Sequence, residues 1–146
     1  MDVETSSKKF ESFAREYGAR FIVIYGSRAN ERATFESDVD IGVFFDRGYI
    51  PEDLLTYADI VSRLAELCAV SSQKIDFVAL NRANILLRQE IMSKGKLLYG
   101  DADAYEQYRA FAFREYCDAK RLFALEDFLI RKRQRLLKQV VTNNKT

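Results

Sequence analysis

The sequence contains no histidine. That removes a histidine general base, a histidine triad and any imidazole metal ligand from this chain. A base must then be a carboxylate, a lysine or a group brought by a partner. Cysteine is nearly as scarce: Cys68 and Cys117 are isolated, lack zinc-type spacing and read as reduced thiols. Neither sign of charge is in excess, since 23 Lys and Arg against 22 Asp and Glu leave a net +1. A dedicated nucleic-acid surface is usually basic, so none is expected. No apolar run approaches the roughly 20 residues of a membrane span. The opening MDVETSSKKF has no signal-peptide pattern, so a cytoplasmic protein without a membrane partner is expected. Repeats, low-complexity segments and linkers are lacking as well.

What the chain does have is 146 residues, 48% of them apolar, enough for one packed domain with a small appendage. Its organising stretch runs YGSRANERATFESDVDIGVFF from Tyr25 to Phe45. The apolar run Phe21 to Tyr25 leads into Gly26-Ser27, and a second run, Ile41 to Phe45, follows Asp38-Val39-Asp40. On a strand, residues two apart share a face. Asp38 and Asp40 would then lie together, with Gly42 leaving room on that face for a bulky ligand, while Val39, Ile41, Val43 and Phe45 meet the core. Adjacent carboxylates repel unless a cation sits between them, and magnesium with substrate phosphates is the usual case. Gly26 permits a tight turn, and Ser27 is placed to cap a short helix reaching about Ala33 whose free N–H groups would hold a phosphate. Arg28 reads equally as a phosphate contact or a solvated side chain, and Arg32 as solvated. Ser37 either orients a carboxylate or ends the loop. Asp-x-Asp alone is uninformative, and a second instance, Asp101-Ala-Asp103, reads as a helix start.

The remaining pattern alternates helix and strand. Residues 4–17 predict a helix capped by Ser6 or Ser7, with Phe10, Phe13, Ala14 and Tyr17 on one face. Pro51 suits the first turn of a second helix reaching about Val70, its broad apolar face including Leu54, Leu55, Ile60 and Leu64. Lys74 to Leu80 reads as a strand in which Asp76 is out of keeping and needs a reason. Asn81 or Asn84 starts a third helix, Gly95 ends it, and Lys96 to Tyr99 forms an edge strand. From Asp101 the pattern stays helical to about Val141, with a bend near Asp118 to Lys120 allowed. Its apolar surface exceeds one stripe, so part should meet another chain. The basic run Arg131 to Arg135, with Lys138, either complements the helix C-terminus or contacts an acidic partner.

Gly-Ser, ten residues, then Asp-x-Asp resembles the signature of the DNA polymerase β-like nucleotidyltransferases, and the small size resembles their minimal (MNT) group. These are found as antitoxins beside HEPN-domain RNase toxins. The resemblance covers about Phe21 to Leu80 well. It implies an α/β (α+β) fold: a small mixed sheet flanked by helices, with residues 1–100 as catalytic domain and 101–146 as helical extension. It implies a third carboxylate on a neighbouring strand, here Asp76, with a salt bridge to Lys74 or a strand end as the plainer alternatives. Asp38, Asp40 and Asp76 would bind two Mg²⁺, and Gly26, Ser27, Arg28 and Ser37 the nucleotide. The implied reaction transfers AMP from ATP to a tyrosine of the cognate HEPN toxin. A non-catalytic binding antitoxin and an aminoglycoside-type small-molecule transferase are the alternatives.

Overall fold

The computed structural model describes residues 3–29, 37–46 and 53–145, with side chains from residue 7 onward and that of Arg28 excepted. Among the described residues, four α-helices and four strands alternate in part: α1 (Val3–Tyr17), β1 (Ala19–Tyr25), β2 (Val39–Phe45), α2 (Leu54–Cys68), β3 (Ile75–Ala79), α3 (Ile85–Lys94), β4 (Lys96–Gly100) and α4 (Ala102–Asn143). The sheet runs β3-β2-β1-β4. β1 is antiparallel to β2 and β4, while β2 and β3 are parallel. A parallel pair needs a crossover, and α2 supplies it. This is the mixed sheet flanked by helices that the family resemblance implies.

Both faces of the sheet are covered. On one, Phe10, Phe13 and Tyr17 of α1 and Ile60 and Leu64 of α2 pack on Ile22, Val39, Ile41, Val43, Phe45 and Phe77. On the other, Leu80, Ile91, Met92, Tyr105 and Ala112 cover Phe21 and Val23, with Tyr25, Phe44 and Val78 alongside. Full burial of one such side chain is worth about 1.5–3 kcal/mol. Gly42 lies in the second core, and this corrects its expected role. A Cβ there would stand 3.1 Å from Leu80 Cδ2 and 3.4 Å from Ile91 Cγ2. The missing side chain admits the cover of the sheet, not a ligand.

Several boundaries also differ from the sequence pattern. α1 starts at Val3, so Ser6 and Ser7 fall inside it. α2 is capped by Asp53, whose side chain accepts from the Leu55 N–H at 3.2 Å, while Pro51 lies outside the described residues. Leu54 and Leu55 are 80% and 78% exposed rather than packed. Asn84 caps α3 by accepting from the Leu87 N–H at 2.9 Å. Asn81 does something else: its amide accepts from the Phe45 N–H at 2.8 Å and donates to the Phe45 carbonyl at 3.0 Å, tying the end of β2 to the segment after β3. α4 is one 42-residue helix with no interruption near Asp118.

Arg88 fastens α3 to α4. Its guanidinium pairs with Glu115, donates to the Ala83 carbonyl at 3.0 Å, and lies 5.8 Å from the ring centroids of both Tyr108 and Phe111.

Replacing Gly42 with Leu should destabilise the fold by about 1–3 kcal/mol through overpacking, read by urea denaturation. A neutral result would show that the cover over Gly42 yields. Tyr17 donates a short hydrogen bond to Asp59, and burial, then that bond, raise its pKa from 10.0 to about 12. The folded state keeps a proton that the unfolded state loses, so stability should fall as pH rises from about 10 to about 12. The fall should be smaller in Tyr17→Phe.

Candidate active site

The two ladders put three polar side chains abreast in the second face. Tyr25 of β1 is the register partner of Asp40, and Asp40 is the partner of Asp76 across the parallel pair. The next row on that face is Val23, Gly42 and Val78. The site is therefore the open end of a face whose interior is apolar. Adjacent strands lie about 4.8 Å apart, so the Asp40 and Asp76 carboxylates are immediate neighbours. Asp38 stands one residue before β2, exposed.

Electrostatics register the crowding. Burial, then Asp76, then Asp38 hold the Asp40 pKa above its ordinary value. Tyr25 is pushed well above the usual phenol range by burial, then by Asp76, Asp40 and Glu90. A negative field thus converges where β1 ends and β2 and β3 begin. A cation entering there would relieve it. Among the described residues, no group of three or more Asp, Glu, Cys or His is already arranged to hold a metal.

The turn after β1 is shaped around Asp40. Gly26 takes φ +74°, and a Cβ there would collide with Asp40 Oδ2. Any side chain would strain the backbone and displace the carboxylate. Gly26–Arg28 forms a single 3-10 turn, and the Ala29 N–H donates to the Gly26 carbonyl at 3.2 Å. Tyr25, not Ser27, occupies the N-cap position, and no side chain caps the turn. Ser27 lies inside the turn with its side chain exposed. The expected helix to Ala33, with Arg32, falls outside the described residues beyond Ala29. Ser37 is half-buried and precedes Asp38.

The structure thus brings Gly26, Asp40 and Asp76 together, with Asp38 within their electrostatic reach. The backbone of Arg28 forms part of the turn, and its side chain lies outside what the structure describes. Sequence reasoning missed Tyr25 and Glu90. The alternation Phe21, Val23, Tyr25 held the signal for the first, but using it required the β1–β2 register. Glu90 needed the placement of α3.

A tight Gly-Ser turn beside paired carboxylates at one end of a mixed sheet defines a nucleotidyl-transfer class of site. Residues 8–104 match the family Polymerase beta, Nucleotidyltransferase, and the chain belongs to that family. Over 95 residues it is 30% identical to the protein adenylyltransferase MntA of Aphanizomenon flos-aquae (strain 2012/KM1/D3), covering 62% of this chain and 63% of that protein. The fold is shared with a chain of a toxin-antitoxin crystal structure with AMP-PNP, at TM-score 0.64 and 22% identity over 84% of this chain and 98% of that one. It is shared too with a chain from the complex of tri-AMPylated Shewanella oneidensis HEPN toxin with MNT antitoxin. There the TM-score is 0.60 and the identity 20%, over 88% and 99% of the two chains.

Removing one charge from the crowded row should stabilise the metal-free protein. Asp40→Asn is expected to melt at a higher temperature than the wild type at neutral pH in EDTA. The wild type should recover part of that difference as pH falls through the raised Asp40 pKa, because the folded state takes the proton first. A variant that melts lower would refute mutual repulsion at this site.

Proposed function

We propose that the chain is a magnesium-dependent protein adenylyltransferase acting as an antitoxin. It transfers AMP from ATP to a tyrosine hydroxyl of a HEPN-type RNase toxin, in the cytoplasm, and so neutralises the toxin. The observation that carries this reading is the register Asp40↔Asp76 beside the Gly26 turn. The similarity to MntA supports the acceptor class, and the toxin–antitoxin complexes of like fold support the partner.

The donor set fits magnesium. Asp38, Asp40 and Asp76 are hard oxygen donors, and Asp40 is held above its usual pKa by burial and then by the charges of Asp76 and Asp38. Mg²⁺ commonly takes one or two carboxylates and completes its shell with substrate phosphates and water, so a ready-made cage is not required. Bound there with ATP, it supplies charge neutralisation at the phosphate oxygens.

The chain's own groups divide the remaining work. Asp38 and Asp40 hold metal, and Asp76 faces the acceptor side. The acceptor oxygen forms a bond to the α-phosphorus, the bond from that phosphorus to pyrophosphate breaks, and the phenolic proton passes to Asp76. The Gly26-Ser27 turn presents N–H groups to the β- and γ-phosphates, with Arg28 and Ser37 as further contacts. Positioning and charge compensation dominate such transfers, which suits a chain without histidine.

Incubating the chain with labelled ATP, Mg²⁺ and the cognate HEPN-type RNase should label the RNase and silence it. Asp40→Asn should cut labelling on the order of 10³-fold, and EDTA should abolish it. Equal labelling by the variant would overturn the site assignment. Neutralisation without labelling would make the chain a binding antitoxin.

A further inference from the structure

We propose that the second half of α4 is a dimerisation surface on which a second copy of this chain docks antiparallel. The last buried residue of α4 is Ala119. From Lys120 to Asn143 the helix continues for about 36 Å at 1.5 Å per residue. Leu122, Leu129, Ile130, Leu136, Leu137 and Val140 are all about half exposed or more along it.

These residues form one face. Leu122, Leu129 and Leu136 recur every seven residues, as do Ile130 and Leu137, one position further round. That face continues the line of Tyr105, Ala112 and Ala119, which packs on the body. A shallow groove of about 310 Å³ runs along it, lined by Leu122, Leu125, Glu126, Leu129, Ile130 and Arg133. The charges are sorted. Arg131, Arg135 and Lys138 fall on the opposite side by helical spacing, with Arg131 paired to Asp127 at 3.2 Å. Only Glu126 and Arg133 stand on the centre line of the apolar face, two turns apart.

This arrangement is self-complementary. A two-fold axis between Leu129 and Ile130 sets Glu126 of one copy against Arg133 of the other, twice. It sets Leu122 against Leu137 and Leu129 against Ile130. One patch satisfies both copies, as a two-fold interface requires. The basic side chains then point away from each other into water. A partner of different sequence would need its own acid and base at matching positions, whereas a second copy has them already.

Sedimentation velocity on the purified full chain from about 1 to about 100 μM tests this, since dimer population follows concentration. A dimer is expected. Leu129→Asp, at a position 53% exposed in the monomer, should give a monomer with unchanged helix content and the melting temperature that the wild type shows when diluted to monomer. Glu126→Arg and Arg133→Glu should each weaken the dimer about tenfold or more, and the double reversal should recover it to within about threefold. A wild-type monomer throughout the range overturns the proposal, including the case in which this face binds only a HEPN-type toxin. So does a dimer that survives Leu129→Asp. A double reversal that fails to recover overturns the antiparallel register.

Discussion

The parallel pairing of β2 with β3 is the constraint on which the rest depends. It sets Asp40 beside Asp76 at the mouth of a sheet face whose interior is apolar. Two carboxylates at neighbouring strand positions repel, and the repulsion is sustained by packing elsewhere. Val39, Ile41, Val43 and Phe45 anchor β2 from behind, and Phe77 anchors β3. The odd-numbered residues of β2 hold the strand in place so that an even-numbered one can carry an unfavourable charge. Asn81, bridging both backbone groups of Phe45, fixes the far end of the same pair. Register here is chemistry, because a slip of one residue would turn Asp76 into the core and Phe77 into the site.

The glycines divide the labour around this pair. Gly26 yields space to the Asp40 carboxylate, and Gly42 yields space to Leu80 and Ile91. One absent side chain shapes the functional end of the face and the other closes its apolar interior. The phenol of Tyr25 completes the row, its proton held tightly by burial and by the surrounding acids. The site is thus negative, half-enclosed and backed by hydrocarbon, a setting in which a cation is strongly favoured.

Much of this was legible in the chain because its signals are local. The 3.6-residue spacing of Phe10, Phe13 and Tyr17 and the alternation of β2 each depend on one segment only. The juxtaposition of Asp76 with Asp40 is not local. Nothing within β3 marks Asp76 as a partner of residue 40, and only the resemblance supplied that pairing as an expectation. Gly42 misled for the same reason: strand geometry gave its face correctly but could not say that α3 covers it. Leu54 and Leu55 fit an apolar helix stripe but precede the part of α2 that reaches the sheet. Ser6, Ser7 and Ser27 are good caps by type, yet each lies inside its helix or turn rather than ahead of it. The uninterrupted course of α4 follows from the absence of any glycine or proline after Gly100.

The crossover through α2 also has a bearing on when the row of acids is assembled. β1 and β2 can pair as a hairpin, but Asp76 reaches Asp40 only after some thirty intervening residues have been threaded over the sheet, a loop closure far costlier than a hairpin's. On the ribosome, β3 emerges well after the Gly-Ser turn, and α3, which roofs the same face, later still. A nascent chain therefore holds half a site for a time, able to turn at Gly26 but without its second strand of acid. The row of acids is complete only when the sheet is.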